Sequence, residues 1–271
     1  TQGVSSAASD VYKRQLIDAE DYQLPALGYV CRYGDVLKSL ATSLAASQIM
    51  QYRPLGISGM TEGDDSVQIS LSDETGLSAS ILVQAEGGIF GEQKPKHLHR
   101  DYQQCALIST VWSASPPPGR AFERFTDQGP LALLPMQDGY SLVWCMRPEN
   151  AERLIALDDE TFLQALQQAF GQRAGRFQKI DKRFSYPLGL NAQPQDSART
   201  VSIGNASQTL HPVAGQGLNL GLRDAAVLAS LLAREISPSQ LNRFDSQRRT
   251  DRNTTIRLTD LMARVFASSA D

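Results

Sequence analysis

The spacing of apolar and polar residues predicts a mixed chain of helices and strands. Apolar residues recur with the period of one helix face in four segments, which predicts helices over about 35–47, 158–170, 217–229 and 239–267. Alternating or short continuous apolar runs predict strands at about 67–71, 81–83, 105–112, 120–126, 131–136, 141–145, 177–188 and 200–203. Turn residues at 73–76 predict a hairpin loop between the first two strands. We expect an α/β (mixed α+β) protein with a predominantly antiparallel sheet from about 103 to 190.

The last two predicted helices each carry apolar residues on one side. In the helix that begins near Gly217, this side consists of Leu218, Leu222, Ala225, Ala226 and Ala229. In the last helix, it consists of Leu258, Leu261, Met262, Val265 and Phe266.

Composition narrows the class of protein. With 271 residues, 41% of them hydrophobic and 20% charged, the chain has the composition of a globular protein and is long enough to bury a core. A net charge of −3 and a pI near 5.7 argue against a nucleic-acid-binding protein. Three widely spaced cysteines favour a reducing cytoplasm, and with the three histidines they show no metal-ligand spacing. No apolar run approaches the roughly 20 residues that span a bilayer, so we expect any membrane contact to be peripheral.

The N-terminal residues 1–15 differ from the rest of the chain. They are polar and rich in small residues, and they lack the apolar core of a signal peptide. We therefore treat 1–15 as a non-native leader and exclude it from the prediction of the fold.

The segment from 201 to 224 has the most informative pattern in the sequence. A buried strand ends at Gly204-Asn205, a loop follows through His211-Pro212, and Gly215-Gln216-Gly217 opens a helix. The start of a helix offers free backbone N–H groups and the positive end of the helix dipole, about half a charge. Such a site suits an anion or an electron-rich carbonyl edge.

This segment resembles the second flavin-binding motif of single-component FAD-dependent aromatic hydroxylases. The resemblance rests on Gly204-Asn205-Ala206-Ser207, Pro212, Gly215-Gln216-Gly217-Leu218-Asn219, Gly221 and Asp224. Further segments are similar to the branch that hydroxylates polyprenyl phenols in ubiquinone biosynthesis: 21–29, 119–126, 129–135 and 186–188. GRAFERFT at 119–126 together with GPLALLP at 129–135 suggests the 2-polyprenyl-6-methoxyphenol hydroxylases in particular.

The resemblance implies a division of the chain into domains. Residues 16–102 and 191–271 would belong to an FAD-binding, Rossmann-like domain, and 103–190 would form an antiparallel-sheet substrate domain. No G-x-G-x-x-G occurs in this sequence, although the family begins with a βαβ unit that carries it and binds the ADP half of FAD. We therefore expect an internal fragment of a larger flavoenzyme, inactive when isolated.

The resemblance also implies which residues hold the cofactor. The N–H groups around Gly217, Leu218 and Asn219 would meet the N1–C2=O edge of the flavin, with Gly215 and Gln216 before them. Pro212 would form a rigid wall against one face of the flavin ring. Gly204 and Asn205 stand where the family has Gly-Asp, whose carboxylate accepts from ribityl hydroxyls, and an Asn oxygen accepts one such bond. Glu86 stands where the family has Asp, near pyridine nucleotide and pyrophosphate.

Purely structural interpretations of the same residues remain open at this point. The glycines 215, 217 and 221 would also suit a close helix–strand crossing, and Asn205 and Glu86 would suit ordinary turns. His211 is either structural or catalytic, and Gln208 stands where many relatives carry His. The arginines form a solvated helix face or a contact with another domain or with anionic lipid: 243, 248, 249, 252 and 257.

The chemistry implied by the resemblance is oxygen insertion into a phenol. NAD(P)H would reduce FAD, O₂ would form a flavin C4a-hydroperoxide, and the phenol ring would take up the distal oxygen. A strongly apolar set suits a lipophilic substrate: Leu131, Leu133, Leu134, Met136, Leu142, Val143 and Trp144. Arg120 and Arg124 alternate on one strand and are either surface residues or a fork for a carboxylate substrate. A cytoplasmic enzyme, peripheral on the inner face of a bacterial membrane or in a ubiquinone-biosynthesis complex, is expected. A non-catalytic scaffold subunit is the alternative.

Overall fold

The computed structural model describes residues 15–194 and 197–267, so the predicted leader lies outside the described residues except for its last position. The described residues divide into two compact units, one up to Ile49 and one from Met50 onward. The first unit contains a 3₁₀ turn at Glu20–Tyr22 and helix α1 at Tyr33–Ala45, close to the predicted 35–47.

The second unit contains the remaining helices and all strands of the described residues. Its helices are α2 (Pro148–Ile155), α3 (Asp159–Phe170), α4 (Gly217–Leu232) and α5 (Pro238–Ala267). Its first strands are β1 (Ile57–Glu62), β2 (Val67–Leu71), β3 (Gly76–Ala79), β4 (Leu82–Gln84), β5 (Leu98–Ser113) and β6 (Phe122–Thr126). Its later strands are β7 (Gly129–Met136), β8 (Gly139–Met146), β9 (Phe177–Ile180), β10 (Phe184–Ala192), β11 (Thr200–Ser202) and β12 (Gln208–Thr209).

A large antiparallel sheet dominates the second unit, as the sequence predicted. Its strand order is β12-β10-β5-β8-β7-β6, and β9 pairs with the far end of the long strand β5. Every strand pair described in this sheet is antiparallel. The predicted single strand at 177–188 is in fact two strands on the same edge of β5: β9 pairs with residues 111–113, and β10 pairs with residues 98–108, while β8 occupies the other edge.

Two smaller sheets correct the predicted hairpin. The turn at 73–76 joins β2 to β3, a strand that the prediction missed, in an antiparallel sheet of order β1-β2-β3. The expected partner at 81–83 instead becomes β4, which pairs in parallel with β11. Alternation alone indicated that 81–83 is extended, but it carried no information about which strand would be its neighbour.

The two faces of the large sheet have different coverings. One face packs under α2 and α3, and its core includes Leu107, Leu142 and Trp144 together with Phe162 and Leu166 of α3. Strand register assigns the alternating residues to the other face, here called the open face: Gln104, Ala106, Ile108, Glu123, Phe125, Ala132, Leu134, Val143, Cys145, Tyr186 and Leu188.

Helix α5 lies on the same side of the sheet as the open face, at one end of it. Leu190 alternates with Leu188 on β10, so both side chains project to this side. Leu190 packs with Ile256 and Ala263 of α5 in one buried cluster. The α2–α3 pair and the α4–α5 pair therefore occupy opposite sides of the sheet.

Helices α4 and α5 bury faces other than those that apolar spacing indicated. In α4 the buried apolar side chains are Leu220, Leu228 and Leu231, whereas Leu218 and Leu222 are exposed. In α5 the buried side chains include Leu241, Phe244, Ile256 and Ala263, whereas Leu258, Leu261 and Val265 are exposed. The buried face of each helix is the one that packs against β11 and against the other helix.

Candidate functional site

The carboxyl ends of two parallel strands bring the predicted cofactor residues together. The amide of Ile203, just after β11, donates to the carbonyl of Gln84 at 3.0 Å, and the Ser202 hydroxyl donates to the Gln84 side-chain oxygen at 3.0 Å. An added Cβ on Gly87 would lie only 3.2 Å from the Cβ of Asn205. The turn containing Glu86 and the turn containing Asn205 therefore adjoin at the edge where ligands bind in parallel α/β sheets.

Gly204 and Gly221 serve a close crossing between this turn and α4. Gly204 has φ of 59°, a left-handed conformation that glycine adopts without strain. An added Cβ on Gly221 would lie 3.2 Å from the Gly204 Cα. At Gly221, therefore, the structural interpretation left open by the sequence is correct.

The start of α4, unlike the crossing at Gly221, has open space next to its glycines. No side chain caps this helix, and the amides of Gly217, Leu218 and Asn219 have no acceptor among the described residues. An added Cβ on Gly215 or Gly217 would meet no atom within 4 Å. The result is a cradle of outward-facing N–H groups at the positive end of a helix.

A short turn positions the chain before the cradle. Pro212 begins a 3₁₀ turn, and its carbonyl accepts from the Gly215 amide at 2.8 Å. Gly215 then has φ of 58°, which reverses the chain into Gln216, the residue before α4. Pro212 is partly exposed beside the cradle.

His211 anchors this loop to the large sheet. It is only 2% exposed, and its Nδ1 accepts from the Val213 amide at 3.1 Å. With Nδ1 as acceptor, the neutral ring carries its proton on Nε2, which donates to the Gln104 oxygen at 3.2 Å. Gln104 also donates to the Gln128 carbonyl at 3.3 Å. This geometry assigns His211 a structural link between the cradle and the open face.

Burial of His211 predicts a specific loss of stability in mild acid. Desolvation lowers the pKa of His211 from 6.5 to about 4. Between these values the unfolded chain binds the proton and the folded chain does not, so the stability contributed by neutral His211 is lost as pH falls from 6.5 toward 4. We expect this residue to contribute a slope of up to about 1.4 kcal/mol per pH unit in the free energy of unfolding.

Urea unfolding at several pH values in this range tests the expectation. In His211→Gln the slope should be smaller than in the wild type, since glutamine does not titrate. Identical slopes in the two proteins would show that the His211 pKa is not depressed by burial.

Lys96 is a site residue that the sequence did not reveal. Its ammonium donates to the carbonyls of Asn205 at 3.1 Å and Ala206 at 2.6 Å. Its backbone amide donates to the side chain of fully buried Asn191 at 2.9 Å. Burial lowers the pKa of Lys96. Its position between Lys94 and His97 gave no motif, because the partners are backbone carbonyls more than 100 residues away.

A buried polar network supports the turn from below. Asp224 of α4 is fully buried and accepts from Gln208 at 2.9 Å and from Arg248 of α5 at 2.8 Å. Arg252 donates to the Gln208 oxygen at 2.9 Å and to the Ser207 hydroxyl. Gln208 therefore joins α4 and α5 to the segment that follows the Gly204 turn, which is a structural role.

The arginine cluster is therefore not one solvated face. Arg248 and Arg252 are about 95% buried, whereas Arg249 is 64% exposed and pairs with Asp245. The sequence did not show this division, because Arg248 and Arg252 lie on the buried side of α5 and Arg249 lies on its exposed side.

Strand register also corrects the predicted substrate residues. Leu131, Leu133, Leu142 and Trp144 belong to the core under α2 and α3, while Leu134 and Val143 lie on the open face. Arg124 donates to the Phe170 carbonyl at the end of α3 at 2.6 Å, on the covered side. Arg120 and Arg124 therefore do not form a carboxylate fork on the open face.

The described residues lack two kinds of feature. No helix among them is long and apolar enough to cross a bilayer. No cluster of three or more His, Cys, Asp or Glu suited to a metal ion occurs within the described ranges.

Comparison with known proteins gives consistent matches. The model of the FAD binding domain family matches residues 59–258. Ubiquinone hydroxylase UbiL of Rhodospirillum rubrum is 34% identical over 79% of this chain and 53% of its own length. The human mitochondrial ubiquinone biosynthesis monooxygenase COQ6 is 26% identical over 96% of this chain and 68% of its own length. The chain thus spans about half to two thirds of these relatives.

Among solved structures, a mutant of PqsL from P. aeruginosa shares the fold. It superposes with a TM-score of 0.69 and 21% identity, covering 87% of this chain and 70% of that chain.

Proposed function

The chain belongs to the FAD binding domain family, and on that premise we propose that it is part of an FAD-dependent monooxygenase that hydroxylates a polyprenylated phenol of ubiquinone biosynthesis. The matches to a ubiquinone hydroxylase and a ubiquinone biosynthesis monooxygenase support the reaction and the substrate class. The same matches disfavour the alternative of a non-catalytic scaffold.

The uncapped start of α4 is the observation that carries the proposal. The free N–H groups face open space, since an added Cβ at Gly215 or Gly217 would meet no atom within 4 Å. This space fits a planar group with an electron-rich edge. Gly217, Leu218 and Asn219 would hold this edge, and Pro212 would limit the ring on one face. Asn205 and Glu86 would lie toward the sugar and phosphate parts of FAD.

FAD, when bound and reduced by NAD(P)H, supplies the oxygen chemistry. The chain would position the substrate against the cofactor and exclude water from the reacting groups. The loop that carries the cradle is tied through His211 to Gln104 on the open face. Apolar side chains such as Ile108, Leu134 and Val143 would then bind the phenol ring and exclude water.

A lipophilic phenol would reside in a membrane, so we also propose peripheral contact of the complete protein with a membrane or with other enzymes of the pathway. Binding to vesicles that contain the substrate tests this contact.

Flavin reduction tests the cofactor part of the proposal. The complete protein should purify with FAD, and anaerobic NADH or NADPH should bleach its absorbance; comparison of the two rates identifies the preferred reductant. A complete protein that binds no FAD when titrated with it would contradict the proposal.

A further inference from the structure

We infer that a groove beside α5 is a binding site for a phosphate ester that carries an apolar chain. The groove lies between α5 and the paired ends of β5 and β10, and its cavity has a volume of about 490 Å³. None of its lining residues is among those assigned to the cofactor. The inference therefore goes beyond the proposed function and does not depend on it.

A buried arginine with an unused donor lines the groove. Arg252 is only 6% exposed and lines the cavity from α5. Its Nε donates to the Gln208 oxygen, and its Nη2 donates to the Ser207 hydroxyl and the Gln193 carbonyl, which are all neutral acceptors. Its Nη1 has no hydrogen-bond partner among the residues that the structure describes. One arm of the guanidinium is therefore available to a ligand in the groove.

The carboxylates that attract Arg252 are already paired with other arginines. Asp224 and Asp245 act on Arg252 through their charge, but neither forms an ion pair with it. Asp224 pairs with Arg248, and Asp245 pairs with Arg249. A buried cation without its own counter-ion is costly, so an anion bound in the groove would stabilise this side chain.

The groove as a whole carries an excess of positive charge. Its cationic and ionisable basic lining residues are three arginines and a histidine: Arg249, Arg252, Arg257 and His97. Asp245 is the single acid among its described lining residues. Arg257 makes no hydrogen bond or ion pair within the described ranges, so its guanidinium fork is also available. Several guanidinium donors suit the oxygens of a phosphate, which carries more charge than a carboxylate.

The floor of the groove is apolar and gives the ligand its second property. Leu98 and Ala192, which pair across β5 and β10, line it together with Ile256 of α5. Leu98 is 39% exposed. A hydrocarbon chain that covers these side chains is favoured in proportion to the apolar area removed from water. The groove thus offers cations to a phosphate and an apolar surface to the chain attached to it.

The test compares Arg257→Glu with Arg243→Glu in the complete protein. Arg243 is an exposed residue of the same helix outside the groove, so both variants change the net charge equally. Calorimetric titration should show that octyl phosphate binds the wild type and Arg243→Glu alike. Binding to Arg257→Glu should be at least about tenfold weaker, because a like charge then faces the phosphate. FAD content and melting temperature should stay normal in both variants.

Further probes separate the two parts of the ligand and its two possible sources. Inorganic phosphate lacks the chain and octanoate lacks the phosphate, so both should bind the wild type more weakly than octyl phosphate. Vesicles of phosphatidylcholine with phosphatidic acid that bind the wild type, but not Arg257→Glu, would identify a membrane lipid as the ligand. Binding of octyl phosphate without binding of these vesicles would identify a soluble ester.

Three results would overturn the inference. They are a wild type that does not bind octyl phosphate, equal binding of octyl phosphate by Arg257→Glu and Arg243→Glu, and equal affinity of the wild type for octyl phosphate and inorganic phosphate. Each of them would leave the FAD site and the proposed function standing, since the groove shares no lining residue with the cradle.

Discussion

Replacement of Gly217 by valine is expected to abolish FAD retention by the complete protein without destabilising its fold. The φ of Gly217 lies outside the left-handed region, and an added Cβ meets no protein atom within 4 Å. A branched side chain at this helix start is therefore tolerated by the protein but occupies the cradle. Overpacking costs about 1–3 kcal/mol, so FAD should bind at least about 5- to 150-fold more weakly.

Gly76→Val is the matched control for this variant, because Gly76 also has open space around it and lies on β3, away from the cradle. Fluorescence titration with FAD and the melting temperature of both apoproteins give the comparison. If Gly217→Val were to bind FAD with wild-type affinity, the start of α4 would not be the flavin site.

Removal of the Asp224 carboxylate should cause a large loss of stability. Asp224→Ala leaves the buried Arg248 and Gln208 without their common acceptor. Breaking a buried ion pair by removing one partner costs about 3–5 kcal/mol. Arg248 keeps its second pair, with the partly exposed Asp251 at 2.6 Å, so we expect a loss near the lower end of this range. Urea unfolding at neutral pH measures this change in the free energy of unfolding.

Arg249→Ala provides the control, since Arg249 is 64% exposed in its pair with Asp245. An exposed pair of this kind contributes less than about 1 kcal/mol. Equal destabilisation by the two variants would show that the Asp224 network does not hold α4 and α5 to the turn.

The sheet and the glycine turns before α4 could be predicted because their signals are local. Alternation along β5, β7 and β8 sets two faces whatever their neighbours are. The glycines at 204 and 215 likewise report on their own backbone, which has a positive φ at both positions. Both kinds of signal are present within a few residues of sequence.

The partners of each face could not be predicted, because they are distant in sequence. Apolar spacing predicted an apolar side of α4 that contains Leu218 and Leu222, whereas packing on β11 and α5 buries Leu220 and Leu228. The same reason explains why Lys96 was missed: its acceptors become neighbours only through the pairing of β10 with β5 and β12.

The predicted substrate residues show both a local signal that was correct and a distant partner that could not be predicted. The residues chosen for apolar character, such as Leu131 and Trp144, fill the core under α3, because the most apolar face of a sheet is the one that a helix covers. The open face is less apolar, because it also carries Gln104 and Glu123.

Oxygen incorporation tests the central claim most directly. The complete protein, supplied with FAD, NAD(P)H and isotopically labelled O₂, is offered a prenylated methoxyphenol or 4-hydroxybenzoate, and products are analysed by mass spectrometry. The account predicts one labelled oxygen atom on the ring of the prenylated phenol, with little turnover of the benzoate. Unlabelled product, or a preference for 4-hydroxybenzoate that is lost in Arg120→Ala, would contradict it.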